Sequence, residues 1–350
     1  MDKKRITEID ALRGIAAVIV VIYHYTYHYN ERFIHIKSDY NTSLFEWGHY
    51  GVQLFFIISG FVIFMSVTRG KSAGDFLIKR VFRLYPAYIA AILLTFFVIG
   101  KSPIDINRTF FEAFVNFSMF QEVFGIRNID GVYWSLRVEG TFYLMMALVL
   151  LLGAKNRVMT ISIILLLVGT LIQTISMVSP NEYASWAERF STANYIQMFV
   201  IGIMFYSIWQ HGPQIKYIAV MFYSVIYDFV FESVTNGLFS LLFIGIFALV
   251  LNRKMKWLNH KALLFLGSIS YPLYLIHQNI GYALIEQMEK VGLTHELFVL
   301  VPLTLSILLA YGVVKFVETP IQNYLYRTYK TLRDKRKVKI NKPVRSREIA

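Results

Sequence analysis

Ten stretches of this chain approach the roughly 20 apolar residues that cross a bilayer. They lie at 11–29, 51–68, 84–100, 132–153, 158–178, 193–209, 216–232, 236–251, 263–288 and 297–318. A single soluble core of 350 residues has no room for that much apolar surface. Composition agrees: 56% of residues are hydrophobic and 16% charged, against about 25% charged in an ordinary globular domain. Within lipid a helix satisfies its own backbone polar groups. The expected fold class is therefore all-α, a polytopic integral membrane protein with about ten transmembrane helices. The least regular stretch is 216–251, where Asp228 and Glu232 interrupt the apolar run and Thr235-Asn236-Gly237 supplies a turn signal.

Charge decides the orientation, because cytoplasmic loops collect Lys and Arg. Ten crossings put Lys3, Lys4 and Arg5, the 69–83 cluster, Lys155, Arg157, Lys216, the 253–261 cluster and the C-terminal tail on one side. The other side keeps Arg32, Lys37, Lys101, Arg108, Arg127, Arg189 and Lys290. Nine crossings would send the 253–261 cluster and the tail outward, so ten is preferred, with both termini cytoplasmic. The net charge of +13 then belongs to cytoplasmic loops and to a tail (Lys335-Arg336-Lys337-Val338-Lys339) that lies against anionic headgroups. Nucleic acid is not needed as a partner; the lipid bilayer is. The first apolar run contains Arg13 and lacks a small-residue cleavage site, so it reads as an anchor and not as a removable signal. No repeat or Pro/Gly/Ser-rich linker marks a second domain, which leaves a transmembrane domain at 1–326 and a basic tail at 327–350. The chain has no cysteine, which excludes thiol nucleophiles, disulfides and cysteine-ligated metals.

Ionisable side chains within membrane helices cost roughly 2.5–3.5 kcal/mol each on insertion scales, so each is a functional candidate. Arg13 and His24 are eleven residues apart, which separates them by about 16 Å along a helix and leaves them on one face. Arg13 also reads as a snorkelling anchor, with Asp10 in pairing range. The i,i+4 pair His24 and His28 has metal-ligand spacing but no identifiable third ligand, so no metal is expected. Arg80 and Arg83 stand one turn apart where a helix enters the membrane, a spacing suited to phosphate and equally to a plain positive-inside signal. Glu139 lies about two turns below the membrane surface, in the outer part of the helix that begins at Trp134-Ser135. It is either paired with Arg137 or another helix, or poised for proton transfer. Tyr271, Tyr274 and His277 surround the kink of Pro272 and are cavity-lining candidates with Trp134 and Ser135. Nucleotide-loop, zinc-protease and nucleophile-elbow motifs are absent.

Read together, these motifs resemble acyltransferase family 3, the bacterial membrane acyltransferases that O-acylate surface glycans and some small molecules. The likeness runs in order along the chain. It comprises Ile9-Asp10-Ala11-Leu12-Arg13-Gly14 with His24, the Gly51–Phe61 segment, Arg80 with Arg83, Tyr133-Trp134-Ser135-Leu136 with Glu139, Ser270-Tyr271 to His277, and Val317-Glu318-Thr319-Pro320. Many family members carry a further C-terminal hydrolase-like domain, and this chain resembles the stand-alone form. The resemblance implies acyl-CoA, usually acetyl-CoA, as co-substrate from the cytoplasm with no tightly bound cofactor. It implies a carbohydrate hydroxyl as acceptor at the other face and a bacterial plasma (inner) membrane location.

That chemistry needs cations at the cytoplasmic mouth, for which Arg80, Arg83 and Arg13 are expected, and a base deeper in. His24 is expected to take the acceptor's proton or to carry the acyl group, with Glu139 orienting or polarising its imidazole as a second triad member. The rival reading is a transporter of polysaccharide or of a small polar substrate, which would use the same charged residues to line a translocation path.

Overall fold

The structure, a computed structural model, describes residues 6–33, 42–70, 72–102, 106–293 and 299–340, with the backbone alone at 336–340. Lys3, Lys4, Arg5, Lys37, Lys71 and the tail beyond 340, all used in the charge argument, lie outside the described residues. Helices make up the fold, and no strand occurs among the described residues. The first ones are α1 (Thr7–Tyr23), which continues through a π-helical turn (His24–His28) into a short helix at Tyr29–Phe33, then α2 (Gly51–Arg69) and α3 (Ala73–Ile99). An outer loop holds the short α4 (Phe110–Asn116) ahead of α5 (Trp134–Leu151), α6 (Val158–Val178), the exposed α7 (Glu182–Ser191) and α8 (Ile196–His211). There follow α9 (Ile215–Tyr227), α10 (Val234–Leu251), α11 (Lys261–Lys290), α12 (Leu300–Val313) and α13 (Thr319–Ile340).

A helix therefore stands at every apolar segment of the sequence. Seven helical runs among the described residues are long and apolar enough to cross a membrane: Thr7–Phe33, Thr42–Arg69, Ala73–Ile99, Gly131–Leu151, Val158–Val178, Val234–Leu251 and Leu300–Lys335. The helices over the other three segments, α8, α9 and α11, are shorter or more polar. This is an all-α polytopic membrane protein. The irregular stretch forms a helical hairpin whose break falls at Ser233, which caps α10 by accepting a bond from the Asn236 N–H at 3.1 Å. Asp228, one turn earlier, is buried and accepts from Gln197 Nε2 at 2.7 Å and Ser240 Oγ at 2.5 Å. α13 runs through the expected boundary between 326 and 327 without a break.

Lipid gives helices no hydrophobic reason to associate, so close packing has to hold them together. Two crossings do this with glycine. Where α2 meets α8, a Cβ at Gly60 would strike the Phe199 carbonyl, and one at Gly202 would strike the Ile57 carbonyl. Where α1 meets α11, a Cβ at Gly14 would lie 2.5 Å from the Gly267 nitrogen. These contacts bring Arg13, on α1, and Ser59, on α2, into one interior. The outer loop is fastened from its own sequence. Thr109 and Glu112 form a capping box, with Thr109 N–H donating to Glu112 Oε2 at 2.7 Å and Glu112 N–H to Thr109 Oγ1 at 3.2 Å. Arg127 Nε donates to Glu112 Oε1 at 2.7 Å, and Asn116 joins the loop to α3 through the Tyr88 hydroxyl at 2.7 Å.

Burial raises the Glu112 carboxyl, but the Arg127 guanidinium and the Thr109 donors outweigh it and hold the group below the ordinary carboxylate range. A depressed carboxylate stabilises the fold above its unfolded pKa and loses that contribution as pH falls. Limited proteolysis between residues 107 and 128 should therefore accelerate below about pH 4, and Glu112→Ala, at a cost of about 1 kcal/mol, should accelerate it already at pH 7. Gly60→Val and Gly202→Val should each destabilise the solubilised protein by about 3 kcal/mol or more, read as a lowered apparent Tm or as loss of the monodisperse species.

Candidate active site

The inner end of the site is built on α3. Ser72 caps this helix by accepting from the Asp75 N–H at 3.1 Å, which starts it so that Arg80 and Arg83 come about two and three turns later, both half-buried. The Arg80 guanidinium donates to Ser66 Oγ of α2 and lies over the rings of Phe76 and Tyr143, 5.4 and 5.6 Å from their centroids. Arg13 enters from α1 within electrostatic reach of Arg83 and Glu139. Glu139 Oε1 accepts from Ser59 Oγ and from Tyr143 OH, each at 2.8 Å. A cavity of about 30 Å³ lies among Arg13, Arg80, Arg83, Glu139, Tyr143 and Tyr271. A second, of about 50 Å³, shares Arg13, Ser59, Glu139 and Tyr271 with the first and extends to Phe55, Ser135 and Tyr274. Together they form an interrupted passage from the arginine pair toward the middle of the bundle.

Beyond this passage stand two imidazoles. Tyr274 OH lies 2.8 Å from Ser135 Oγ, and its ring is 5.8 Å from that of His277, which is fully buried on α11. His277 Nε2 is 3.1 Å from His24 Nδ1, and the two rings are 4.9 Å apart. α1 is regular from Thr7 to Tyr23, so the one-face relation of Arg13 and His24 holds, and the π-helical turn starts at His24 itself. His28 lies beside His24, rings 5.2 Å apart, with its Nδ1 2.6 Å from Tyr282 OH.

Glu139 departs from its expected place. The carboxylate belongs with Arg13, Ser59 and Tyr143, because its helix turns that face toward α2, while the His24 ring bonds to the Val20 carbonyl at 2.9 Å and to His277. Nor does Glu139 pair with Arg137, whose Nε donates to Glu122 Oε2 at 2.7 Å outside the bundle. The cavity-lining candidates divide. Ser135, Tyr271 and Tyr274 line the passage and His277 adjoins it, whereas Trp134 faces a separate outer cavity of about 570 Å³ shared with Tyr195, Arg137, Glu122 and Asn194. Ser59 and Tyr143 were not singled out in the sequence. Tyr143 was findable one turn beyond Glu139, and Ser59 lies inside the Gly51–Phe61 motif. Outside the spanning segments, burial pushes the Asp130 carboxyl up to about 7 against the pull of the Asn279 and Val132 backbone N–H groups.

A passage that runs inward from paired arginines and ends at Tyr274, beside a histidine pair, lies within a polytopic helical bundle. The family model described as an acyltransferase domain, Acyl_transf_3, matches residues 6–314, and the chain belongs to that family. Among curated relatives it is 25% identical over 292 residues to the putative acetyltransferase ORF330 of Acidianus two-tailed virus, covering 79% of this chain and 84% of that protein. It is 23% identical to the O-acetyltransferase OatA of Staphylococcus aureus (strain NCTC 8325 / PS 47), over 94% of this chain and 59% of that protein. It is 28% identical to the O-acetyl transferase of Shigella phage Sf6, over 49% of this chain and 54% of that one. No solved structure matches. The chain is an acyltransferase.

Because Ser59 and Tyr143 donate to one oxygen of Glu139, Ser59→Ala and Tyr143→Phe should each cost about 1.5–3 kcal/mol, the range for a hydrogen bond to a charged group. The pair should be non-additive in a double-mutant cycle on thermal stability.

Proposed function

We propose that this protein transfers an acyl group, acetyl first among them, from cytoplasmic acyl-CoA to a hydroxyl of a cell-surface or lipid-linked carbohydrate, from a bacterial plasma membrane. The observation that carries the reading is the passage that runs inward from Arg80 and Arg83 to Tyr274, whose ring lies 5.8 Å from that of His277, the partner of His24. The names of the staphylococcal and phage relatives support O-acetyl transfer in particular.

Guanidiniums bind phosphates through paired, charge-assisted bonds, so Arg80 and Arg83 hold the phosphates of the donor at the cytoplasmic mouth. Arg13 adds a third positive charge, and Glu139 steadies it in a medium where an unpaired charge is costly. The thioester end points along Tyr271 and Tyr274 toward His24. The cavities measure about 30 and 50 Å³, space for a few waters and too little for a pantetheine arm. The donor therefore has to displace the tyrosine side chains as it enters.

At the outer end, His24 removes the proton of the acceptor hydroxyl as its oxygen attacks the thioester carbon. The C–S bond breaks, the electron pair leaves with sulfur, and the proton held on His24 passes to the thiolate, so ester and CoA thiol are the products and the imidazole is neutral again. The reading requires nothing oxidised or reduced and no metal.

The test is labelled acetyl-CoA given to inverted membrane vesicles that contain the acceptor. Wild type should place label in extractable carbohydrate. Arg80→Ala and Arg83→Ala should each raise the KM for acetyl-CoA about 10- to 100-fold, the value of a lost bond to a charged group, with kcat changed far less. Unchanged KM in both would remove the arginine pair from the donor site.

A further inference from the structure

Two histidines in contact pose a question of protons, which the backbone around them answers. Nδ1 of His277 lies 2.8 Å from the Tyr274 carbonyl and 3.2 Å from the Leu273 carbonyl. A carbonyl accepts only, so this nitrogen carries hydrogen. In a neutral imidazole the other nitrogen is then a lone pair, and Nε2 of His277 is an acceptor. It faces Nδ1 of His24 at 3.1 Å, and that same Nδ1 faces the Val20 carbonyl at 2.9 Å. Both partners of His24 Nδ1 are acceptors, so Nδ1 bears the hydrogen and the lone pair of His24 sits on Nε2. Two independent sets of carbonyls thus impose one tautomer on the pair.

The rings are also held in place through the chain that carries them. The π-helical turn at His24–His28 sets His24 and Tyr25 side by side against α11: the His24 ring meets the His277 ring, and Tyr25 OH donates to the His277 carbonyl at 2.8 Å. Tyr25 reaches that carbonyl because residue 281 is glycine; a Cβ there would occupy the Tyr25 ring. From the outer loop, Asp130 Oδ2 accepts from the Asn279 N–H at 3.0 Å. The stretch 277–279 is bonded on two sides, so His277 is a fixed partner.

Resting on the acyl-transfer reading, we propose that His277 is the positioning residue for the His24 base: by accepting from His24 Nδ1–H it orients the ring whose Nε2 abstracts the proton and stabilises the imidazolium formed in the step. It occupies the place that a carboxylate holds in a hydrolase triad. A carboxylate at this depth would carry a permanent charge into lipid, whereas an imidazole acceptor is neutral before the step and strengthens its bond only while His24 is charged. The Val20 carbonyl keeps the tautomer if His277 is removed. His277 should therefore influence the rate of the step much more than the resting fold.

Three variants and one spectrum test this. His277→Leu removes the acceptor and should lower kcat about 10- to 100-fold, the value of a charge-assisted bond, with the KM for acetyl-CoA changed by less than about twofold. His277→Gln restores an acceptor oxygen and should recover most of that loss. ¹⁵N spectra of histidine-labelled protein in bilayers, assigned through the signals missing from His24→Ala and His277→Leu, should show both rings as Nδ1–H tautomers. Wild-type kcat in His277→Leu, or an Nε2–H ring at either position, would overturn the proposal. An equal fall in His277→Leu and His277→Gln with a lowered Tm would assign His277 a packing role instead. The spectrum does not depend on turnover, so an enzyme with no acyl-transfer activity would defeat the functional reading while the tautomer was still read.

Discussion

Each ionisable group that this protein carries into the membrane has to be paired, because lipid offers a lone charge nothing. That constraint organises the interior. Arg13 stands among Arg83 and Glu139, and Glu139 is itself bonded by Ser59 and Tyr143. Arg80 rests on two aromatic rings and a serine, and Asp228 is satisfied by Gln197 and Ser240. Deeper in, the paired groups are imidazoles, which need carry no charge between turnovers. Charge thus decreases from the arginine end of the passage to the histidine pair.

Helix contact makes such pairing possible, and glycine makes helix contact possible. At Gly14 with Gly267, and at Gly60 with Gly202, backbones approach so closely that any side chain would separate them. The first crossing joins the helix of Arg13 and His24 to that of Tyr271, Tyr274 and His277. The second sets α2, with Ser59, against α8. The π-helical turn then alters the register at one point, so that two consecutive residues of the first helix both reach His277.

Much of this was legible in the sequence. Apolar runs located the helices because membrane thickness fixes their length, and of the ionisable residues within them Arg13 and Glu139 line interior cavities while His24 pairs with the buried His277. Partners were harder to read. Residue type alone suits Glu139 to His24, since both are potential proton carriers, yet which helix face meets which is set by tertiary packing that periodicity does not encode. His277 lies 253 residues from His24, and no local pattern announces a bond over that separation. The π-helical turn was equally invisible, since five consecutive polar and aromatic residues, His24-Tyr25-Thr26-Tyr27-His28, are compatible with an ordinary helix. Trp134 and Ser135 are neighbours in sequence, but adjacent residues on a helix point about 100° apart, and they line different cavities.

The most direct test of the account is a comparison of wild type with His24→Ala in purified, reconstituted protein, following acetyl transfer from labelled acetyl-CoA to carbohydrate acceptor alongside acetyl-CoA binding. Removal of the base should lower the transfer rate by about 10²–10⁴-fold or more, while acetyl-CoA binds as in wild type and the thermal transition is retained. Transfer by His24→Ala at the wild-type rate would contradict the assignment of the base and, with it, the chemistry built on the histidine pair.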